Sequence, residues 1–449
     1  MRWVVRPISS WALHPVLAAL RPFAPGAALH AQTPQWIPQF LGAQVTVIGQ
    51  HLAPFPASYS GPKSLVNTGD TKATDTYGVY LGARLPARLQ VYLDIEMARG
   101  SGVSEATGLG GITNGDVIRQ GTANLTRGPY VARLFLRYTF PLGAGADTVA
   151  RGIDQLPGSV PRSRLDIKAG KLALSDDFDQ NRYANSTRFQ FMDWGLFQNT
   201  AWDFAADTRG YSWGAMIAWI HPRWDLRLGT FAMPTMANGN TFDTFPTARG
   251  DNVELSLRPG SVGTSVRVLA YQNHARMGNY AAAIAHGAAV DSVPDIVADD
   301  QPGRTKAGVG VNIEQPLADS AETGAFLRAG WNDGHNESFV FTEVDRHLSA
   351  GIEVAGVHWR RSRDRAAVAL VWHGLSTDHR HYLAAGGSGF LLGDGRLHYG
   401  EESILEAYYQ AQFGRYVAVS PAVQWIHDPG YNRDRGPAAV VSLRLNLRY

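Results

Sequence analysis

The sequence predicts an all-β protein: a transmembrane antiparallel β-barrel of about sixteen strands, with long external loops and an inward-folded constriction loop. Three observations carry this. Segments of roughly ten residues alternate apolar and polar side chains along most of the chain. The connections between them alternate between long and short. One connection, Ser175 to Gly210, mixes carboxylates, arginines and aromatic rings with no strand or helix period, and a structureless loop of that length is uncommon unless it does a job.

Composition narrows the class. The chain has 449 residues, a formal net charge of +2 and no cysteine. A disulfide scaffold, Cys-ligated zinc and a thiol nucleophile are therefore excluded, and the balanced charge offers no basic face for nucleic acid. No apolar run approaches the roughly 18 residues of a spanning helix. Passage through a membrane would thus require closed β-structure. Residues 1–31 carry Arg2 and Arg6, an apolar stretch to Leu20 and small residues ending at Ala31, and are read as a signal peptide. Residues 32–449 are then the barrel.

Taken in order, the predicted strands are 39–49, 77–85, 87–96, 130–140, 164–173, 211–220, 224–233, 252–258, 264–273, 304–315, 324–331, 349–359, 365–374, 402–413, 417–425 and 438–449. The last is the clearest. Val441, Leu443, Leu445, Leu447 and Tyr449 share one face, and Ser442, Arg444, Asn446 and Arg448 the other. A charge on the lipid face near the midplane costs about 2–4 kcal/mol, so the arginines are expected in the lumen. By the same rule Leu134, Leu136, Tyr138 and Phe140 oppose Arg133 and Arg137, and Leu327 and Trp331 oppose Arg328. Aromatics such as Trp359, Trp372 and Trp425 fall where an interfacial girdle belongs.

The long connections, among them 50–76, 97–129, 175–210, 234–251, 274–303 and 375–401, all emerge from one rim if they alternate with short turns. That is the outer-membrane arrangement, with external loops and periplasmic turns. Pro141 to Ser163 is longer than its short-turn class predicts. Sixteen strands enclose water, not a packed core, so something has to narrow the hole. The third external loop, 175–210, is the candidate.

The constriction and sugar-binding candidates in and beside it are Asp177, Asp179, Arg182, Tyr183, Trp194, Asp203 and Arg209. Lumen-wall candidates are Arg88, Glu96, Arg133, Arg137, Arg164, Lys168 and Arg227. Aromatic faces and paired charges suit the C–H faces and hydroxyls of a sugar. The competing reading makes Trp194, Phe197, Trp202 and Phe204 a small core that keeps the loop folded, and Asp177, Asp179, Arg182 and Arg209 pins to the wall. Asp177, Asp179 and Asn181 resemble the opening of a calcium loop, but Arg182 stands where its glycine belongs and Arg188 where its glutamate belongs. No metal, cofactor or catalytic residue is assigned.

Four stretches, Tyr59 to Leu65, Thr74 to Gly100, Arg164 to Gly214 (with DDFDQNRYAN and AWDFAADTRGYSWG) and the terminal strand, resemble the carbohydrate-selective porins of Gram-negative outer membranes, the OprB family. The resemblance spans about Trp36 to Tyr449. It implies a sixteen-stranded outer-membrane porin for passive, selective diffusion of mono- or small oligosaccharides, constricted by inward-folded loops rich in arginine and acidic residues. The chain departs from that pattern at Asp94, Ile95 and Glu96, where the family has Asn-Pro-Glu, which puts a wall or rim contact there in doubt.

The alternatives are an outer-membrane barrel hydrolase and a soluble sugar-binding β-protein. For the first, His373, His379, His381 and His398 lie in or beside one external loop with Ser376 and Asp378. No nucleophile elbow or HExxH spacing accompanies them, and they read as solvated loop histidines. The second needs blade repeats, which are missing. Expected partners are carbohydrate solutes, outer-membrane lipids and the barrel assembly machinery, engaged through the strand ending at Tyr449. Whether the assembly is a monomer or a homotrimer stays open.

Overall fold

The computed structural model describes residues 40–117, 125, 127–260 and 263–449. The expected leader, 1–31, lies outside them. The strands are β1 (Phe40–Leu52), β2 (Asp70–Arg84), β3 (Leu89–Gly100), β4 (Tyr130–Pro141), β5 (Ala146–Val149), β6 (Gly158–Pro161), β7 (Arg164–Leu172), β8 (Ser212–His221) and β9 (Trp224–Ala232). They continue as β10 (Arg249–Leu257), β11 (Ser265–Met277), β12 (Gln301–Ala318), β13 (Thr323–Asn332), β14 (Arg346–Ala355), β15 (Arg365–Gly374), β16 (Glu402–Phe413), β17 (Val417–His427) and β18 (Ala438–Arg448). Sixteen of them form one closed antiparallel barrel, each paired with its neighbours and β1 joined to β18 from Gln44↔Arg448 to Leu52↔Val440. Closure leaves no sheet edge unpaired, which is what allows β-structure to sit in lipid. β5 and β6 stand apart as a small hairpin inside the overlong 141–163 connection.

The alternation decides which way each side chain points. Val441, Leu443, Leu136, Leu327 and Trp331 are exposed on the outer surface, while Ser442, Arg444, Asn446, Arg137 and Arg328 are buried within the lumen. Outward aromatics mark both ends of this apolar band: Trp213, Trp331, Trp372 and Trp425 toward the long loops, and Trp219, Phe140, Phe413 and Tyr449 toward the short turns. Several strands run past their predicted ends. β12 has 18 residues and β2 begins at Asp70, because hydrogen-bonded pairing continues into the watery rim where the apolar face fades.

The long-loop rim is well filled. Two short helices, α2 (Tyr280–Ala289) and α3 (Thr377–Ala384), pack on each other there, with the His379 ring stacked 4.3 Å from Tyr280. A third, α1 (Trp194–Phe197), lies inside the barrel on the 173–211 loop, capped by the Asp193 carboxylate accepting from Gly195 N–H. The described part of the 101–129 loop also folds inward, where the Thr113 carbonyl accepts from Gln50 and Gln424 of the wall.

Candidate functional site

The 173–211 loop is fixed to one side of the lumen. Arg328 on β13 donates to Asp179 Oδ1 at 3.2 Å and to the Leu196, Asp179 and Ala184 carbonyls at 3.2, 3.1 and 2.7 Å. Arg444 on β18 donates to the Thr187 and Gln190 carbonyls. Glu406 on β16 accepts the Met192 and Asp193 N–H groups at 2.7 and 2.9 Å, and Glu254 on β10 accepts that of Asp179 at 2.7 Å. These wall charges satisfy loop backbone that would otherwise lie buried and unpaired. Gly310 and Gly330 make room for Asn199: a Cβ on Gly330 would lie 2.1 Å from its side-chain oxygen. The loop is thereby stapled to β10–β18, and the open path runs along β2, β3, β4, β7 and β8.

That path is a cavity of about 590 Å³. Across it face groups from five elements: the 173–211 and 101–129 loops, β3, β4 and β7. Arg188 at the tip of the loop donates to Glu96 Oε1 on β3 at 2.9 Å and to Asp116 of the 101–129 loop at 2.8 Å. Arg133 on β4 holds Asp176 through two bonds of 2.6 and 2.9 Å and reaches Asp94 at 3.2 Å. Lys168 on β7 donates to Asp177 at 2.8 Å. The Tyr211 hydroxyl donates to Glu96 at 2.7 Å, and the Arg209 guanidinium lies 4.4 Å above the Tyr130 ring. A β-bulge aims this set: Asp94 pairs with Arg133 and Ile95 with Val131, so Ala132 is an extra residue in β4. Bulges commonly re-aim side chains beside functional sites.

Charges here are pre-paired. Burial pulls the Arg188 guanidinium down, but Asp116 and Glu96 outweigh it and hold its pKa well above the usual arginine value. Burial raises the Asp116 carboxyl, with Arg188 opposing. The Tyr211 hydroxyl is pushed well above the ordinary tyrosine range, first by burial and then by Glu96, so it stays a donor. A solute meets rows of fixed donors and acceptors with little net charge.

The predicted residues divide. Asp177, Trp194, Arg209, Glu96, Arg133, Arg137, Arg164, Lys168 and Arg227 line the cavity. Arg137 and Arg164 share Asp166 near the short-turn rim, and Arg227 pairs with Asp225. Arg182 borders a second cavity of about 570 Å³ beneath the loop. Three others are anchors away from the path. Asp179 is spent on Arg328, Asn312 and the Asn199 N–H. Tyr183 is buried against Gly324, its hydroxyl donating to the Ala321 carbonyl. Asp203 accepts the Phe339 and Val340 N–H groups and pairs with Lys306. Arg88 is not on the lumen wall: it sits exposed on the β2–β3 turn with φ +63°, because the chain reverses there before β3 begins.

The loop aromatics form a core. Trp194 stacks on Phe341 at 4.5 Å, and Trp202 packs against Phe204 and Phe178. The histidines depart from the solvated reading in two places. His373 and His379 are fully buried, facing Glu402 at 3.2 Å and Asp345 at 3.0 Å. Ser376 Oγ caps α3 and donates to the Gly334 carbonyl, so it does not address His379 as a nucleophile would.

Sequence reasoning left Arg188, Asp116, Asp176, Tyr130 and Tyr211 outside its candidates. Arg188, Asp116 and Asp176 lie in charged long loops, and Tyr130 and Tyr211 open predicted strands, which is all that pointed to them.

A closed sixteen-stranded barrel with an aromatic-banded apolar exterior, long loops on one rim and a charge-lined constriction is an outer-membrane porin. The sequence matches the family of carbohydrate-selective porins, OprB family, over residues 79–449, and the chain belongs to that family. Among solved structures, the high-pH structure of Pseudomonas putida OprB is similar with a TM-score of 0.68 at 14% identity, covering 92% of this chain and 94% of that one. OmpT of Vibrio cholerae lacking loop L8 (TM-score 0.46, 10% identity, 91% and 98% covered) and a mutant porin of Rh. blastica (0.43, 8%, 91% and 100%) are more distant. No curated protein matches the sequence. The protein is a carbohydrate-selective porin of the outer membrane.

Proposed function

We propose that neutral mono- and small oligosaccharides diffuse passively along the β2–β4, β7 and β8 wall, exchanging hydroxyl hydrogen bonds between Glu96, Asp116, Asp176 and Asp177 on one hand and Arg133, Lys168, Arg188 and Arg209 on the other. The observation that supports this is the continuous cavity lined by charges that already neutralise one another. Such a surface gives up and receives hydroxyl hydrogen bonds without holding an ion. Binding has to stay weak enough for release. Tyr130, Tyr211 and Phe189 add ring faces for the C–H side of a pyranose. The concentration gradient drives flux, and no residue acts as a catalyst. Residues 1–31 serve as a leader, and the strand ending at Tyr449 is presented to the barrel assembly machinery.

Single-channel recording of refolded protein tests the reading, with glucose, a disaccharide and an uncharged non-sugar added in turn. Ohmic current blocked by the sugars alone is expected. Steady current indifferent to sugar removes the carbohydrate assignment, and absence of current removes the open pore.

A further inference from the structure

The 141–163 connection lies on the short-turn rim, opposite the loop that narrows the pore, yet its tip enters the same cavity: Ile153, Asp154 and Gln155 line it. The stem, β5 and β6, is exposed or half-buried. In the tip Ile153 stays exposed, but Asp154 and Gln155 are half-buried and Leu156 is buried. Gly152 and Gln155 exchange backbone hydrogen bonds of 3.1 and 3.2 Å in a tight turn, and Asp154 is held at φ +53°. Leu156 is 1% exposed, and its N–H donates to the Tyr92 hydroxyl of β3 at 3.3 Å. Gln155 accepts from Arg137, Arg84 donates to the Pro157 carbonyl, and Arg151 donates to the Tyr449 carbonyl at 3.3 Å. A connection needed only to join two neighbouring strands requires none of this.

Asp154 itself lies 3.4 Å from Arg133 Nε, the guanidinium that also holds Asp176 of the outer constriction loop and Asp94 of β3. One arginine thus joins the wall, the outer loop and the inner hairpin. We propose that residues 151–157 form a second, inner constriction of this channel, with Asp154 its selectivity-determining residue. A solute leaving the Arg133–Asp176 pair passes directly over the lumen-facing side of Asp154, whose other side is held to the wall by Arg133. The inference rests on the channel reading and adds a second barrier to it.

The titratable groups facing Asp154 are Arg133 on β4, Lys168 on β7, Asp94 and Tyr92 on β3, and Asp176 on the outer loop. Asp94 is close enough to share a proton with it. Burial raises the Asp154 carboxyl to about 6, Arg133 opposing and Asp176 adding to the rise. The inserted hairpin therefore holds a proton more tightly than one swung into water, where an aspartate titrates near about 3.9. Insertion gains strength as pH falls from about 6 toward about 3.9, below which the gain is complete, and the gain is lost as pH rises through about 6.

Three full-protein variants test this in planar bilayers. Replacing residues 143–162 with Asn-Gly is expected to raise conductance roughly twofold and to admit larger oligosaccharides. Unchanged conductance from a correctly folded, heat-modifiable barrel would overturn the proposal. Wild-type conductance should fall as pH is lowered through about 6, and Asp154→Asn should abolish that step, whereas a purely structural role leaves the step in place. Since the chain has no cysteine, Gln155→Cys gives a unique handle, and a charged thiosulfonate reagent should cut its current. Full current after complete labelling would again sink the idea. A protein without any current fails both readings; current insensitive to the hairpin variants fails only this one.

Discussion

At the residue scale, Arg188 joins the two inward loops to the wall through Asp116 and Glu96. Arg188→Ala should leave two acceptors facing the path without their cation. The expected outcome is a reversal potential shifted toward cations and sugar blockade weakened about tenfold, or about 1.4 kcal/mol. Unaltered selectivity would show that Arg188 only braces the loop. Arg328 and Arg444 teach the complementary lesson. Alternation with leucines made both lumen-facing, which they are, but no local signal distinguished a lumen arginine bathed in water from one buried under a loop. Asp179 and Asp203 were read as lining candidates for the same reason. Their type fits either role, and most of the N–H groups and cations that claim them, Arg328, Asn312, Phe339 and Lys306, lie more than a hundred residues away in sequence.

At the element scale, the 173–211 loop is the long connection folded into the lumen and pinned there by Arg328, Arg444 and Glu406. Removing Asp176 to Asp207 should raise conductance and flatten discrimination among sugars of different size, and unchanged conductance would move the constriction elsewhere. The α2–α3 roof has its own pH dependence. Asp345, just before β14, accepts from His379 and from the Ser376 N–H. Burial pushes its carboxyl up, but His379, Lys306 and the Ser376 N–H together outweigh burial and hold the pKa below the usual value. A depressed pKa means that this contribution is present above the ordinary carboxylate range, near about 3.9, and is lost as pH falls below it. Hydrogen exchange of α2 and α3 should accelerate in acid before that of the barrel strands, and uniform protection at all pH values would contradict the coupling. Both helices lie in segments read as loops. They are short, and helices of this length draw their stability from packing such as the Tyr280–His379 stack, not from a pattern in their own sequence.

At the scale of the whole molecule, the barrel divides its lumen. The 173–211 loop and the wall charges that pin it roof the β10–β18 side, above a second cavity of about 570 Å³, while the larger lined cavity runs along the β2–β8 side. Because the carboxylates and cations of that path are paired, the intact pore should discriminate poorly between ions despite its many charges. A cation-to-anion permeability ratio within about threefold of unity is expected from reversal potentials in a salt gradient. A strongly selective pore would mean that one of the two rows is unpaired in the membrane.

What the sequence by itself determined is the wall: strand number, facing, girdles and the alternation of long loops with short turns. Each follows from a two-residue period set against lipid on one side and water on the other, a rule applied locally at every position. Only the tertiary structure decided how the lumen is filled. It put the described part of the 101–129 loop inside, turned Asp179 and Tyr183 into anchors, brought Arg188 to Glu96, and carried Asp154 from the opposite rim to Arg133. These outcomes depend on which distant groups satisfy buried loop backbone and charge, and that is settled by closure of the barrel, not by any stretch of sequence alone.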